Sequence, residues 1–228
     1  MKQNGRSPLK FDSEPWGDTL PFAPLRAVWI FGCLLILPTI LMLAGCTELQ
    51  IHVVTIIAPL LACIGTPVQL GMKKLSFADI LWVVLIYILM IALTILLNPY
   101  WEALLEHWQW NVAPRQEILN EVEENKDWAL TICYYLSICV VAPITEEVLF
   151  RRIIYGGFRN ICPAWLAVIV TSLIFSSVHF FIKGFVSLFI MGMMFNLIFL
   201  FRKNLWTSIL LHSMVNSIVF FLSFLPKD

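Results

Sequence analysis

The chain has 228 residues, of which 60% are hydrophobic and 13% are charged, and its formal net charge is zero. Soluble domains are about 45–50% apolar and about 25% charged, so the composition excludes an ordinary soluble domain and predicts an all-α protein that crosses a membrane several times. Its basic residues are scattered rather than clustered, which argues against a nucleic-acid partner and leaves the lipid bilayer as the expected one.

The apolar residues fall into about seven segments. Residues 1–24 form a mixed-charge stretch with several prolines and are expected to be a cytoplasmic N-terminal tail, and residues 25–228 a single integral-membrane helical domain. A spanning helix needs about 20 mostly apolar residues. Stretches that meet or approach this length are 25–46, 51–72, 77–98, 128–156, 164–182, 184–201 and 205–224. Pro59, Gly65 and Pro67 interrupt the second stretch, so the count stays open between seven and eight.

The segment 99–127 differs from its neighbours because it is acidic and rich in tryptophan. Trp101, Leu104, Leu105 and Trp108 have helical spacing, which predicts an amphipathic helix on the membrane surface followed by a solvated acidic turn. The sequence leaves open whether this segment also acts as a lid.

The distribution of Lys and Arg predicts the orientation in the membrane. With the N-terminus in the cytoplasm, eleven basic residues lie inside and four lie outside. The inner set is Lys2, Arg6, Lys10, Arg26, Lys73, Lys74, Arg151, Arg152, Arg159, Arg202 and Lys203, and the outer set is Arg115, Lys126, Lys183 and Lys227. The short chain and single domain favour a prokaryotic plasma membrane.

Three polar motifs interrupt the later apolar stretches. Ionisable side chains in hydrocarbon cost several kcal/mol and usually mark a functional site. Two carboxylates, two imidazoles and an amide can together activate water and stabilise an oxyanion, so the chain is predicted to be a membrane-embedded hydrolase. The motifs are Glu146-Glu147-x-x-x-Arg151, Phe175-x-x-x-His179 and His212-x-x-x-Asn216.

The motifs can form one site only if they lie at similar depth. A helical rise of about 1.5 Å per residue puts Glu146 and Asn216 about 15 and 16 Å from the cytoplasmic ends of their helices, His212 about 10 Å and His179 about 22 Å. Side chains and modest helix tilts can close these differences. The estimate requires that the fourth helix continue past the carboxylates to about Tyr155.

The spacing also suggests a role for each group. Glu147 and Arg151 are four residues apart in the order that favours a helical ion pair, which leaves Glu146 as the candidate general base. His179 is predicted to share the water with Glu146 or to help bind a metal. His212 and Asn216 lie on one helix face and are candidate donors to an oxyanion. Each His or Asn alone would also fit an interhelical hydrogen bond.

At these residues the chain resembles the CAAX-protease and bacteriocin-processing (CPBP, or Abi) family, the type II CAAX prenyl endopeptidases. The family motifs are E-E-x-x-x-R, F-x-x-x-H and H-x-x-x-N, in this order on separate transmembrane helices. The resemblance covers residues 128–224. It implies an intramembrane endopeptidase with a cavity open toward the cytoplasm, in which Glu146 and His179 activate water and His212 and Asn216 stabilise the oxyanion. Glu147, Arg151 and Phe175 would orient these groups.

The resemblance leaves the metal and the substrate open. Metalloprotease chemistry and a metal-free, glutamate-dependent mechanism have both been argued for the family. Candidate ligands for a divalent metal such as zinc are His179, His212 and Glu146, a thin set that favours an optional or absent metal. The expected substrate is a membrane-associated protein or peptide, with or without a lipid group, and the oligomeric state is not predicted.

Two alternatives come from other functional classes. A proton-coupled transporter could use Glu146, His179 and His212 as a relay, although the inverted repeats typical of transporters are not visible in the sequence. A catalytically silent protein could instead bind a peptide in the same cavity, as in bacteriocin immunity.

Overall fold

A computed structural model describes residues 23–65, 70–110, 112, 122 and 127–224. Five helices in this part of the chain are long and apolar enough to cross a membrane, and two are shorter apolar helices. This arrangement confirms the predicted all-α membrane bundle. The helices are α1 (Ala23–Leu43), α2 (Glu48–Cys63), α3 (Phe77–His107), α4 (Trp128–Arg159), α5 (Ala164–Ser177), α6 (Phe185–Arg202) and α7 (Leu205–Leu222), of which α2 and α5 are the short ones.

Polar side chains define where several helices begin, because the first backbone N–H groups of a helix have no partner within it. Thr47 and Gln50 form a capping box at the start of α2, and Ser76 and Asp79 form another at the start of α3. Asn204 accepts a hydrogen bond from the backbone N–H of Trp206 at the start of α7. These caps explain why short polar breaks are enough to separate long apolar segments.

Several helix boundaries differ from the prediction. α2 ends at Cys63, nine residues before the predicted limit. α3 continues through Pro99 to His107, so Trp101, Leu104 and Leu105 belong to its last turns and not to a separate surface helix. α5 ends at Ser177, five residues before the predicted limit. Residues 1–22 of the predicted tail and most of the predicted acidic turn lie outside the described residues, whereas residues 23 and 24 begin α1.

α6 occupies the centre of the bundle, where it packs against α3, α5 and α7. Its closest approach is to α5 at Gly192, where an added Cβ would lie 3.1 Å from the Ser172 Cα atom. The core around this contact contains the buried aromatic residues Phe150, Phe175 and Phe195. Because Gly192 has no side chain, the backbones of α5 and α6 can pack closely at this crossing.

α4 is not a regular α-helix. Two π-helical segments, Leu136–Val141 and Val148–Ile154, lie on either side of Glu146 and Glu147. In a π-helical turn the backbone bond reaches back five residues, as from Ala142 N–H to the Ser137 carbonyl. Such turns rotate the following side chains and release carbonyl groups for other partners, and they are common at functional sites.

Cross-helix contacts identify the two ends of the bundle. At one end Arg26 donates to the Ala62 carbonyl at 2.8 Å, so the start of α1 meets the end of α2. At the same end Arg202 and Asp79 join α6 to the start of α3. At the opposite end the Tyr134 hydroxyl, near the start of α4, donates to the carboxylate at the start of α2 at 2.7 Å.

Candidate active site

The middle of α4 carries a buried ion pair. Arg151 Nε donates to Glu147 Oε2 at 2.7 Å, and Arg151 Nη2 donates to Glu147 Oε1 at 3.3 Å. Both side chains have an exposed fraction of 0%. The pair predicted from the four-residue spacing is therefore present, and it is bidentate. This geometry holds Glu147 in a fixed orientation within the bundle.

Glu147 also holds His212 from α7. His212 Nδ1 lies 3.0 Å from Glu147 Oε1. Because an ionised carboxylate only accepts hydrogen bonds, Nδ1 carries the proton, and Nε2 of the neutral ring is left as an acceptor. His212 Nε2 lies 3.9 Å from Glu146 Oε2. The two ring nitrogens of His212 therefore face the two carboxylates of α4: Nδ1 faces Glu147 and Nε2 faces Glu146.

Glu146 differs from Glu147 in its surroundings. Its side chain is 17% exposed, and its Oε2 atom has no hydrogen-bond partner among the described residues. It points into the cavity described below, whereas Glu147 lies behind it in the core. A carboxylate without a protein donor and next to a cavity is free to accept a proton from water.

The extent of the fifth stretch had predicted that His179 lies on a helix, but it does not. It belongs to the turn after α5, immediately before Phe180, whose φ is +50°. Its Nδ1 lies 2.6 Å from the Phe175 carbonyl, so Nδ1 donates and Nε2 is an acceptor in the neutral ring. The Phe175 and His179 ring centroids are 4.7 Å apart, which is the ring contact expected from their spacing.

Asn216 is bound to the backbone of α4. Its Nδ2 donates to the Ile138 carbonyl at 2.8 Å, within the first π-helical segment. This bond is the interhelical contact that an intramembrane amide makes most often. It engages one of the two Nδ2 hydrogens and leaves the second available to another acceptor.

One cavity of about 700 Å³ is lined by all four predicted catalytic residues. Most of its other lining side chains are apolar, and they come from α1, α2, α4, α5, α6, α7 and the connection between α5 and α6. A second polar group lies farther along its wall. This group consists of Asn98, Glu102, Lys183 and Ser187. The structure therefore gathers Glu146, His179, His212 and Asn216 around a single space large enough for an extended peptide segment.

The candidate metal ligands do not form a metal site in this arrangement. Among the described residues, no three His, Cys, Asp or Glu side chains form a group that could hold a metal ion. Both oxygens of Glu147 are already engaged by Arg151 and His212. His179, His212 and Glu146 thus do not fit the three-ligand zinc sites of metalloproteases.

The lining of the cavity extends toward one end of the bundle. It includes Glu102 near the end of α3, His52 near the start of α2 and Lys183 between α5 and α6. These positions belong to the end of the bundle opposite Arg26 and Arg202. A cytoplasmic N-terminus would place these three lining residues toward the extracytoplasmic side, whereas the resemblance implies a cavity open toward the cytoplasm, and both expectations stay predictions.

Sequence reasoning missed the aromatic cage around the polar pair. The Arg151 Cζ atom lies 5.7–6.0 Å from the ring centroids of Phe150, Phe175 and Phe195. Phe195 also stacks on His212, with centroids 4.6 Å apart and an interplanar angle of 23°. A phenylalanine in an apolar helix carries no signal of this role, and only its spatial position shows it.

Comparison with known protein families finds a match in the second half of the chain. The family model described as "Type II CAAX prenyl endopeptidase Rce1-like" matches residues 128–218. No curated protein and no solved structure matches the chain. The matched region contains all three polar motifs, from α4 to α7. The match confirms the resemblance to the type II CAAX prenyl endopeptidases that these motifs indicated.

Proposed function

Because residues 128–218 belong to the Rce1-like family of type II CAAX prenyl endopeptidases, we propose that this chain hydrolyses peptide bonds within the membrane with a water activated by Glu146. The observation that carries this mechanism is the series Arg151–Glu147–His212, which ends 3.9 Å from the Glu146 carboxylate at the cavity wall. The proposed substrate is a membrane-associated protein or peptide, because the cavity lies within the bundle and is lined largely by apolar side chains.

In the proposed reaction Glu146 takes a proton from water, and the resulting hydroxide attacks the carbonyl carbon of the scissile peptide bond. The carbonyl π bond opens and its electron pair becomes the oxyanion. Neutral His212 cannot donate through Nε2, so it must first accept a proton, which Glu146 can pass to it. Imidazolium at His212 is supported by the Glu147 carboxylate and by the stacked ring of Phe195.

His212 and Asn216 then donate hydrogen bonds to the oxyanion. As the C–N bond breaks, the leaving nitrogen takes the proton that His212 had accepted, His212 returns to its neutral form, and the products are a carboxylic acid and an amine. His179 steadies the water through Nε2, because its Nδ1 is held by the Phe175 carbonyl. In this proposal Glu147, Arg151 and Phe175 orient the reacting groups without contacting the substrate.

The test compares Glu146→Gln with Glu106→Gln, a control on the exposed surface near the end of α3. Membrane peptides from cells that produce each variant are compared by mass spectrometry, and cleavage of any candidate is then measured with purified protein in liposomes. We expect Glu146→Gln to lower turnover by about 10²–10⁴-fold, the usual contribution of a general base, while the control is unchanged. Full turnover in Glu146→Gln would reject the mechanism. Retained biological effect without any cleavage would indicate peptide binding alone.

We further propose that the N-terminus is cytoplasmic and that the cavity faces the other side of the membrane. Arg151 and Arg152 are buried, so they leave the count of eleven inner basic residues, but nine still remain against four. This difference supports the same orientation under the positive-inside rule. The substrate bond would then approach from the extracytoplasmic face.

The orientation is tested by cysteine labelling in a background without native cysteines. Trp110 lies beyond the end of α3 on the cavity side, and Lys74 lies before the start of α3 on the opposite side; both are exposed. In intact cells an impermeant maleimide should label Trp110→Cys but not Lys74→Cys, which should react only after permeabilisation. The reverse pattern would place the cavity in the cytoplasm.

A further inference from the structure

The turn between α5 and α6 holds a group that the proposed reaction uses. α5 ends at Ser177 and α6 begins at Phe185, so residues 178–184 form the connection, and His179 is its second residue. Phe180 has a φ of +50°, a left-handed conformation that non-glycine residues rarely adopt. Neighbouring structure must hold this conformation in place.

On the α5 side two side-chain contacts tie the connection. Ser176 Oγ donates to the Phe185 carbonyl at 2.6 Å, and His179 Nδ1 lies 2.6 Å from the Phe175 carbonyl. The second bond fixes the His179 ring relative to α5, but neither bond reaches the middle of the connection. There the backbone carbonyl of Ile182 accepts from the Phe185 N–H at 3.1 Å, and its second lone pair can accept one more hydrogen bond.

A second donor to the Ile182 carbonyl comes from the last turns of α3. Trp101 Nε1 donates to the Ile182 carbonyl at 2.9 Å, and the Trp101 ring packs on Phe185 with centroids 5.9 Å apart. Lys183 Nζ lies 3.8 Å from Glu102 Oε1. Two consecutive residues of α3 therefore hold two consecutive residues of the connection.

A second row of contacts braces this attachment. Asn98 Nδ2 donates to Glu102 Oε1 at 3.2 Å, and Ser187 Oγ donates to Asn98 Oδ1 at 3.0 Å. Asn98 thus orients the carboxylate that pairs with Lys183, and it also joins α3 directly to the first turn of α6. The bond from Asn98 to Glu102 also joins the helical turns on either side of Pro99.

We propose that the α3 segment 98–102 is a clamp that positions His179 for the reaction, and that Trp101 and Glu102 are its positioning residues. The part of this inference that concerns the reaction rests on the proposed function, because that function gives His179 its role. The clamp lies outside the region 128–218 that matches the family model. A segment without any motif therefore controls the position of a motif histidine.

The first test is Trp101→Phe, which keeps an aromatic ring against Phe185 but removes the N–H donor to Ile182. Its control is Trp108→Phe on the exposed end of the same helix. The purified protein is treated with diethylpyrocarbonate, and the modification rate of His179 is measured by mass spectrometry relative to exposed His107. We expect Trp101→Phe to raise the relative rate about three- to tenfold, as loss of one hydrogen bond implies, and the control to leave it unchanged. Equal rates in all three proteins would overturn the clamp.

The second test reverses the charges of the ion pair. Glu102→Lys and Lys183→Glu should each raise the relative rate at His179, and the double variant should return it to within about twofold of the wild-type rate. A double variant that labels like the single variants would overturn the clamp. This pair decides the question if Trp101→Phe does not fold.

Cleavage measured on the same proteins separates this inference from the proposed function. If the labelling changes as expected but the wild-type protein cleaves nothing, the clamp stands and the proposed function fails. If the wild-type protein cleaves a substrate and the labelling never changes, only the clamp fails.

Discussion

Replacing Arg151 by methionine should destabilise the bundle strongly. The side chains of Arg151 and Glu147 both have an exposed fraction of 0%, and Arg151 is the partner that approaches Glu147 most closely. In Arg151→Met the Glu147 carboxylate would remain in the core with His212 as its remaining partner. Removing one member of a buried ion pair typically costs about 3–5 kcal/mol, because the other charge is left uncompensated.

A second ion pair provides a matched control. Arg202 Nε lies 2.7 Å from Asp79 Oδ1, the same distance as in the Arg151–Glu147 pair, but the Arg202 side chain is 27% exposed. The Asp79 side chain is only 6% exposed, but it keeps hydrogen bonds from the Ser76 N–H and Ser76 Oγ. Loss of the partly exposed Arg202 side chain also lets water reach the Asp79 carboxylate, so Arg202→Met should cost only about 1 kcal/mol. The difference between the two variants measures the cost of leaving a carboxylate where neither water nor further backbone donors can replace the arginine.

The assay is reversible unfolding of the purified protein in detergent, with the double variant Glu147→Gln/Arg151→Met included. The double variant leaves no buried charge at this pair, so it should be more stable than Arg151→Met alone. If Arg151→Met and Arg202→Met lower the free energy of unfolding equally, or if the double variant is the least stable, the reasoning about the buried charge is wrong.

Three further predictions concern the surroundings of the site. Phe195→Leu removes the ring stacked on His212 and should lower turnover and the free energy of unfolding, the latter by about 0.5–1.5 kcal/mol for the lost aromatic contact, measured by cleavage and by denaturant unfolding. Gly192→Val should destabilise by about 1–3 kcal/mol because of the contact with α5, whereas Gly156→Ala, with open space around it, should not, as thermal unfolding would show. Asn216→Asp should replace the donor to the Ile138 carbonyl by an acceptor and lower the free energy of unfolding by about 1–3 kcal/mol in the same assay. Asn216→Gln can still donate and should lower it less.

The helices could be predicted because a bilayer demands long apolar segments, and their separation follows from short capping residues such as Thr47 and Asn204. The boundaries could not be predicted as well. Pro99 normally ends a helix, but here the following turn is held by contacts to the α5–α6 connection. The two π-helical segments of α4 also have no signature in its sequence.

Part of the site follows from local spacing, and part depends on packing. Glu147 and Arg151 had to meet because four residues bring them to one helix face. The meeting of His212 with both carboxylates depends on how α7 packs on α4, which the depth estimate allowed but did not specify. The contribution of α3 could not be predicted, because tryptophan and glutamate near a helix end also fit a membrane surface.

The unequal lengths of α3 and α5 have a consequence for the surrounding lipid. With 31 and 14 residues these helices extend about 46 and 21 Å, while the hydrocarbon layer is about 30 Å thick. The polar last turns of α3 can extend beyond this layer, but α5 is too short to cross it, so the leaflets are expected to become thinner beside α5. The acyl-chain length of the phospholipids should therefore affect the site. Shorter tails should relieve the mismatch beside α5, and longer tails should strain the turn where His179 lies.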